Sequence, residues 1–223
     1  MPYPDRNAYP DRNAYPDRYA YPDRFYPVVN SVAWVARLAL LGAGTIQLRA
    51  KDLDESEALQ TVRDALEVIK GTPAKLVVND YWRAAVVAGA KHLHLGQEDL
   101  GELADADLKA IRDAGLTLGL STHDDAELET ALRAKPDYIA LGPIFPTTLK
   151  SMRFAPQGIA KITEWKKRIG NIPLVAIGGI KLEQAPAIFA AGADSIAVVS
   201  DVTQNAEPDA RVRAWLGMNA EAA

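Results

Sequence analysis

Residues 45–80 read TIQLRAKDLDESEALQTVRDALEVIKGTPAKLVVND, and this stretch holds one complete strand–helix–strand unit. It opens on a short apolar run at 45–48 and closes on a second, rich in β-branched residues, at 75–78. Between them Leu59, Val62, Leu66 and Ile69 recur every three or four residues, the spacing of one helical face. Asp54, with Glu57 three positions later, has the form of a capping box, in which each side chain satisfies a free N–H at the helix start. Each apolar run leads directly into polar residues. The first is followed through Gln47, Leu48, Arg49, Ala50 and Lys51, and the second by Asn79 and Asp80.

The same alternation continues on both sides. Apolar runs lie at 26–29, 92–94, 117–120, 138–140, 174–176 and 195–198, separated by stretches with helical spacing. Val32, Val35, Leu38 and Leu41 repeat every three residues, and Gly42, Gly115 and Gly192 each follow a helical stretch, where a left-handed cap needs no side chain. Strand–helix alternation implies a parallel sheet. Repeats of roughly 25 residues can close into an eight-fold β/α barrel. The competing architecture is a doubly wound open sheet, which the absence of a GxGxxG after any run disfavours. The fold class is therefore read as α/β, a single (β/α)8 TIM barrel.

Composition narrows the class further. Of 223 residues 48% are hydrophobic, enough for a large core, and 24% are charged, which excludes a chain disordered throughout. The net charge of −4 and the lack of a basic tract give no reason to expect nucleic acid or an anionic membrane. With no cysteine, disulfides and thiolate metal sites are impossible. No apolar run reaches the ~18 residues of a membrane span. The reading is a soluble, cytoplasmic protein; whether it forms a homo-oligomer is left open.

The chain starts differently. From Tyr3 it reads YPDRNA, YPDRNA, YPDRYA and then YPDR, ending at Arg24. Each unit carries a proline, a self-cancelling Asp/Arg pair and no apolar face, so it cannot offset the entropy of ordering. Residues 1–22 are expected to be disordered and without a role, a docking tail of spaced tyrosines being the alternative. The barrel is expected over 23–223.

The polar residues gather where a barrel would put a site. Besides the two clusters above, Gly96, Gln97, Glu98 and Asp99 follow the fourth run, and Ser121, Thr122 and His123 the fifth. The sixth runs into Gly142, Pro143, Ile144, Phe145, Pro146, Thr147, Thr148, Leu149 and Lys150. The seventh reaches Gly178 and Gly179, and the eighth Val199 and Ser200. A barrel brings all its carboxyl strand ends to one face, where its active sites lie. Arg49, Lys51 and Lys150 are cations suited to phosphate. Asp80 and Asp99, read as carboxylates on neighbouring strand ends, suit magnesium, which takes one or two carboxylates plus substrate phosphates. Gly178, Gly179, Val199 and Ser200 lie after the seventh and eighth strands, where barrels commonly bind a second phosphate. His123 is read as structural.

The ordered set QLRAK, VVNDYWRAAVVAGA, HLHLGQEDL, LGLSTHDDAEL, YIALGPIFPT, APQG, VAIGGI and SIAVVS resembles the successive signatures of the thiamine phosphate synthase family. The resemblance spans residues 25 to about 203 and implies a transferase that joins an aminopyrimidine diphosphate to a thiazole phosphate with Mg2+. It implies that Gln47, Leu48, Arg49, Ala50, Lys51 and Asn79 hold the pyrimidine diphosphate, with Arg49 and Lys51 at its phosphates. By the same resemblance Asp80 and Asp99 bind the metal, and Ser121 and Lys150 complete the diphosphate pocket. Thr147, Thr148, Leu149, Gly179, Val199 and Ser200 would receive the thiazole phosphate. The family usually reads Thr-x-Thr-Lys after the sixth strand, whereas this chain has Leu149 at the second threonine. Leu149 keeps only a backbone N–H for a phosphate.

Three alternatives stand beside this reading. A thiazole tautomerase-like relative is expected to lack the full set of Arg49, Lys51, Asp80, Asp99 and Lys150. A non-catalytic barrel that binds thiamine precursors is supported only by Leu149 and the repeat. Another phosphate-handling isomerase would need a base in the mouth, for which His123 is the one candidate.

Overall fold

The computed structural model describes residues 22–147 and 154–220. The hexapeptide repeat up to Tyr21 and the site candidates Thr148, Leu149 and Lys150 lie outside the described residues.

The strands are β1 (Phe25–Val29), β2 (Thr45–Leu48), β3 (Lys75–Asn79), β4 (His92–Leu95), β5 (Thr117–Thr122), β6 (Tyr138–Leu141), β7 (Leu174–Ile177) and β8 (Ser195–Val198). All neighbours pair in parallel, and β8 returns to β1, so the sheet is a closed barrel in sequence order. The helices between them are α1 (Val32–Leu40), α2 (Glu55–Val68), α3 (Trp82–Ala88), α4 (Gln97–Glu102) and α5 (Asp105–Asp113). After these come α6 (Asp125–Arg133), α7 (Gly158–Ile169), α8 (Ala185–Ala190), α9 (Ser200–Thr203) and α10 (Pro208–Ala220). The expected capping box forms at α2: Glu57 N donates to Asp54 Oδ1 at 2.8 Å, and Asp54 N donates to Glu57 Oε2 at 2.9 Å.

Strand parity divides the core in two, as a pleat of period two requires. Tyr26, Val28, Val77, Tyr138, Ala140, Val175 and Ala197 form one buried cluster inside the barrel. Their neighbours Val29, Ile46, Leu76, Val78, Leu93, Ile139, Leu174 and Ile196 belong to a second cluster with the helix faces. Phe25 points outward on β1 and stacks on Trp215 of α10, with ring centroids 5.5 Å apart. The last helix thereby covers the strand at which the barrel closes.

At the amino end of the barrel the incoming chain is held by hydroxyls. Asp23 N donates to Thr45 Oγ1 at 3.1 Å, and Ser195 Oγ donates to Asp23 O at 2.6 Å. Pro22 is buried and borders a small recess with Thr45, Val77, His92 and Tyr138.

Candidate active site

At the carboxyl ends of β2, β3 and β4 three charged groups meet. Lys51 Nζ is paired with Asp80 Oδ2. Asp80 follows β3 with a left-handed φ of 68°, which a short polar side chain tolerates better than most. Its N–H extends the ladder by donating to His94 O at 3.0 Å. Asp99 does not lie on a strand end, as the sequence reading had it. It occupies the first turn of α4, where its Oδ2 accepts from Gly96 N at 3.2 Å. A six-residue helix begins directly after β4, too short to leave a periodic signal. The displacement still leaves Asp99 facing Asp80: burial, then the Asp80 charge, push the Asp99 carboxyl above its ordinary range.

Two converging carboxylates, with Asp99 pushed up by burial and by the Asp80 charge, form a site that favours a cation. Among the described residues no group of three or more His, Cys, Asp or Glu could hold a metal. A two-carboxylate set fits magnesium, which completes its shell with water and substrate phosphate, better than a metal held wholly by protein. Beside it, Arg49 is exposed and makes no ion pair among the described residues. Asn79 is buried, and its Nδ2 has no hydrogen-bond partner. A buried amide N–H without an acceptor is costly, and at the rim of a barrel it leaves a donor available to a water or ligand atom. The side chains of Leu48 and Ala50 pack toward the helices, so these two residues offer the mouth only their backbone.

Below the rim runs a chain of polar side chains that the sequence reading did not single out apart from its two ends. Gln47 Nε2 lies 2.7 Å from Tyr26 Oη, which lies 2.9 Å from Tyr138 Oη. Tyr138 Oη is 2.9 Å from His94 Nδ1, and His94 Nε2 is 2.8 Å from Ser121 Oγ. Five strands contribute to this chain. Burial holds both phenols neutral, with pKa values above the ordinary tyrosine value. Burial, with the Arg49 charge second, lowers His94 to about 4, so its imidazole is neutral too. The signal available in the sequence was the alternation His92-Leu93-His94-Leu95, which puts two imidazoles on the inner face.

The far side of the mouth is built from glycine. Gly178 and Gly179 have φ of 100° and 67°. A Cβ on Gly179 would meet Pro146 O at 2.4 Å, and one on Gly178 would meet Pro143 Cα at 2.7 Å. The loops after β6 and β7 therefore approach backbone to backbone, with Phe145 N donating to Gly178 O at 3.0 Å. Thr147, half-buried, ends the described part of the first loop. Val199 and Ser200, both half-buried, follow β8. Asp201 next to them accepts from Arg211 Nε at 2.7 Å, from Trp215 Nε1 at 2.9 Å and from Leu182 N at 3.3 Å. One carboxylate thus ties the β7 loop, the β8 loop and α10 together. His123 binds Glu127 Oε2 through Nδ1 at 2.7 Å and stacks on Phe154 at 4.8 Å.

The chain is similar to known proteins in sequence and in fold. A family model described as thiamine monophosphate synthase matches residues 24–202. The thiamine-phosphate synthase of Rhizobium etli is 53% identical over 196 residues, covering 88% of this chain and 95% of that protein. That of Salmonella choleraesuis is 51% identical over 199 residues, covering 88% and 93%. Among solved structures, a thiamine phosphate pyrophosphorylase from Pyrococcus furiosus superposes with a TM-score of 0.72 at 26% identity, covering 89% of this chain and 96% of its own. A 3-hexulose-6-phosphate synthase superposes at 0.65 with 13% identity, a likeness of fold alone.

Proposed function

The chain belongs to the thiamine monophosphate synthase family, and on that premise we propose how its barrel mouth joins the two phosphorylated precursors of thiamine phosphate. The observation that carries the reading is the meeting of Lys51, Asp80 and Asp99 beside the unpartnered amide of Asn79. Such a cluster is suited to a diphosphate and its counter-ion.

In the reaction the bond from the pyrimidine methylene to diphosphate oxygen breaks, and the electron pair leaves with diphosphate. The aminopyrimidine ring donates electrons into the methylene as this happens. The thiazole ring nitrogen then forms the new C–N bond. Arg49, Lys51 and Lys150 stabilise the negative charge that grows on the leaving oxygens, which is where preorganised cations act most strongly. Asp80 and Asp99 would hold Mg2+, which supplies further positive charge to the diphosphate. Gln47 and Asn79 orient the pyrimidine, and Ser121 donates to the diphosphate. Thr147, Thr148, the Leu149 backbone, Gly179, Val199 and Ser200 hold the thiazole phosphate in line, which removes much of the entropic barrier. No protein nucleophile is needed. Small molecules are the partners in this reading, and no described helix is long and apolar enough to cross a membrane.

The test is direct. The purified full chain, given the pyrimidine diphosphate, the thiazole phosphate and magnesium, forms thiamine phosphate and diphosphate in equal amounts. Absence of both products overturns the reading and leaves the tautomerase-like or binding-only alternatives.

A further inference from the structure

The chain of hydrogen bonds inside the barrel has one fixed end, and counting protons from it gives the rest a direction. Gln47 Nε2, an amide nitrogen, can only donate, and it lies 2.7 Å from Tyr26 Oη. Tyr26 therefore accepts there, which leaves its single proton free for Tyr138 Oη, the other hydrogen-bond partner of its hydroxyl, 2.9 Å away. Tyr138 in turn has one proton to give, and the acceptor within reach is His94 Nδ1 at 2.9 Å. A neutral imidazole with a bare Nδ1 carries its proton on Nε2. That proton points at Ser121 Oγ, 2.8 Å away. The serine carbonyl is already occupied by Gln97 Nε2 at 2.6 Å. Ser121 Oγ thus accepts from below, and its own proton is left for the mouth.

We propose that His94 is a positioning residue: held as the Nε2–H tautomer by Tyr138, it donates to Ser121 and so sets the serine hydroxyl as a donor toward the substrate. The proposal rests on the reading of the mouth as a diphosphate site, because only an anion there calls for a serine fixed as donor. Unlike the histidine of a hydrolase, His94 does not take the serine proton. The two tyrosines are the device that prevents it, since a carboxylate at that position would accept from Nδ1–H and turn the ring into a base. His94 stacks on the Tyr138 ring with centroids 5.5 Å apart, which limits rotation of the imidazole.

Two substitutions separate the halves of the ring. His94→Asn keeps an acceptor for Tyr138 and loses the donor to Ser121. His94→Gln carries an amide nitrogen near the place of Nε2 and keeps that donor. Both alter packing by similar amounts, so a merely structural role predicts similar losses. The expected result is a kcat for His94→Asn lower by about 10- to 100-fold, within the range for a lost or misdirected donor, with KM changed by less than ~3-fold. His94→Gln should recover at least ~5-fold of that loss. In a Ser121→Ala background His94→Asn should cost nothing more, because its effect passes through the serine. Equal losses in the two variants, or additive losses with Ser121→Ala, overturn the proposal.

A second measurement does not depend on activity. Nitrogen-15 spectra of histidine-labelled wild type, assigned by the signals missing from His94→Asn, should show His94 with Nε2 protonated and Nδ1 bare. Tyr138→Phe, which removes one oxygen, should let the Nδ1–H form appear. An Nδ1–H tautomer in the wild type means that the chain runs the other way, and it overturns the proposal even where the enzyme is active. If the wild type makes no thiamine phosphate, the functional reading fails, while the tautomer still decides the direction of the chain.

Discussion

Asp99 does two jobs at once, and the choice of substitution separates them. Its carboxylate caps α4 through Gly96 N and, beside Asp80, makes the acidic pair suited to magnesium. Alanine would remove both functions and cost about 1 kcal/mol of cap. Asparagine keeps an oxygen for Gly96 and removes only the charge. Asp99→Asn should therefore melt within ~3 °C of wild type while kcat/KM falls at least ~100-fold, about 2.7 kcal/mol of transition-state stabilisation. Full activity in this variant, or in the wild type with EDTA, would end the metal assignment. Histidine gives a second residue-scale prediction. Burial, with Lys75 and Lys91 adding to it, lowers His92 to about 4, and His94 is lowered as far. In the unfolded chain both would protonate near 6.5, so the unfolded state binds more protons between the two values. Stability is thus fully present above pH 6.5 and is lost as pH falls toward 4. The melting temperature of His92→Asn should drop less over that interval than that of wild type. Parallel curves would show that His92 is not held neutral by the fold.

The elements follow from local pattern more than the interior does. All eight strands were legible as short apolar runs: β2 and β8 have the bounds those runs gave, and the other six run one or two residues farther. The extension covers polar residues only in β3 and β5, where closure gives those ends backbone partners: Asn79 pairs with His94, and Thr122 with Leu141. Of the charged residues read at the mouth, Arg49, Lys51 and Asp80 do follow their strands, whereas Asp99 sits in α4 and Lys150 lies outside the described residues. The inner network of Tyr26, His94 and Tyr138 was not legible. Aromatic and polar residues at period two read simply as strand, and only the closed barrel shows that they face each other. Gly119 makes the same point. In the sequence it is a lone glycine in a strand; in the barrel it stands opposite Tyr138, and a Cβ there would sit 1.9 Å from Tyr138 Cζ. The ring cannot yield, since its hydroxyl is shared by Tyr26 and His94. Gly119→Ala should therefore cost about 1–3 kcal/mol of overpacking. At about 2–4 °C per kcal/mol for a domain of this size, that is a fall of roughly 5 °C in melting temperature. Adding Tyr138→Ala relieves the clash, so the double variant should be more stable than the two single losses predict. Simple additivity would place the clash elsewhere.

At the scale of the molecule, a barrel has no sheet edge, so its stability depends on closing the β1–β8 seam, and this seam lies at the start of the described chain. Ile196 N donates to Arg24 O at 2.8 Å, and Ser195 Oγ donates to Asp23 O at 2.6 Å, so the residues just before β1 are part of the closure. Arg24 lies 3.7 Å from the centroid of the Phe189 ring, adding a cation–π contact to α8. Pro22, grouped with the repeat by its sequence, is buried against the amino end of the barrel. The hexapeptide units before it have no apolar face with which to add to this contact. Removing residues 1–21 should thus leave melting temperature and turnover within error, whereas removing residues 1–24 should lower the melting temperature by at least ~5 °C. The second cut strips a buried proline, two seam hydrogen bonds at about 1 kcal/mol each, and the Arg24 contact. The carboxyl-end mouth is the opposite face of the barrel, so any loss of turnover in the longer truncation should track the loss of fold and leave KM unchanged in the folded fraction. A fall of 5 °C or more on removing residues 1–21 alone would show that the repeat docks on the barrel, and it would move the domain boundary into it.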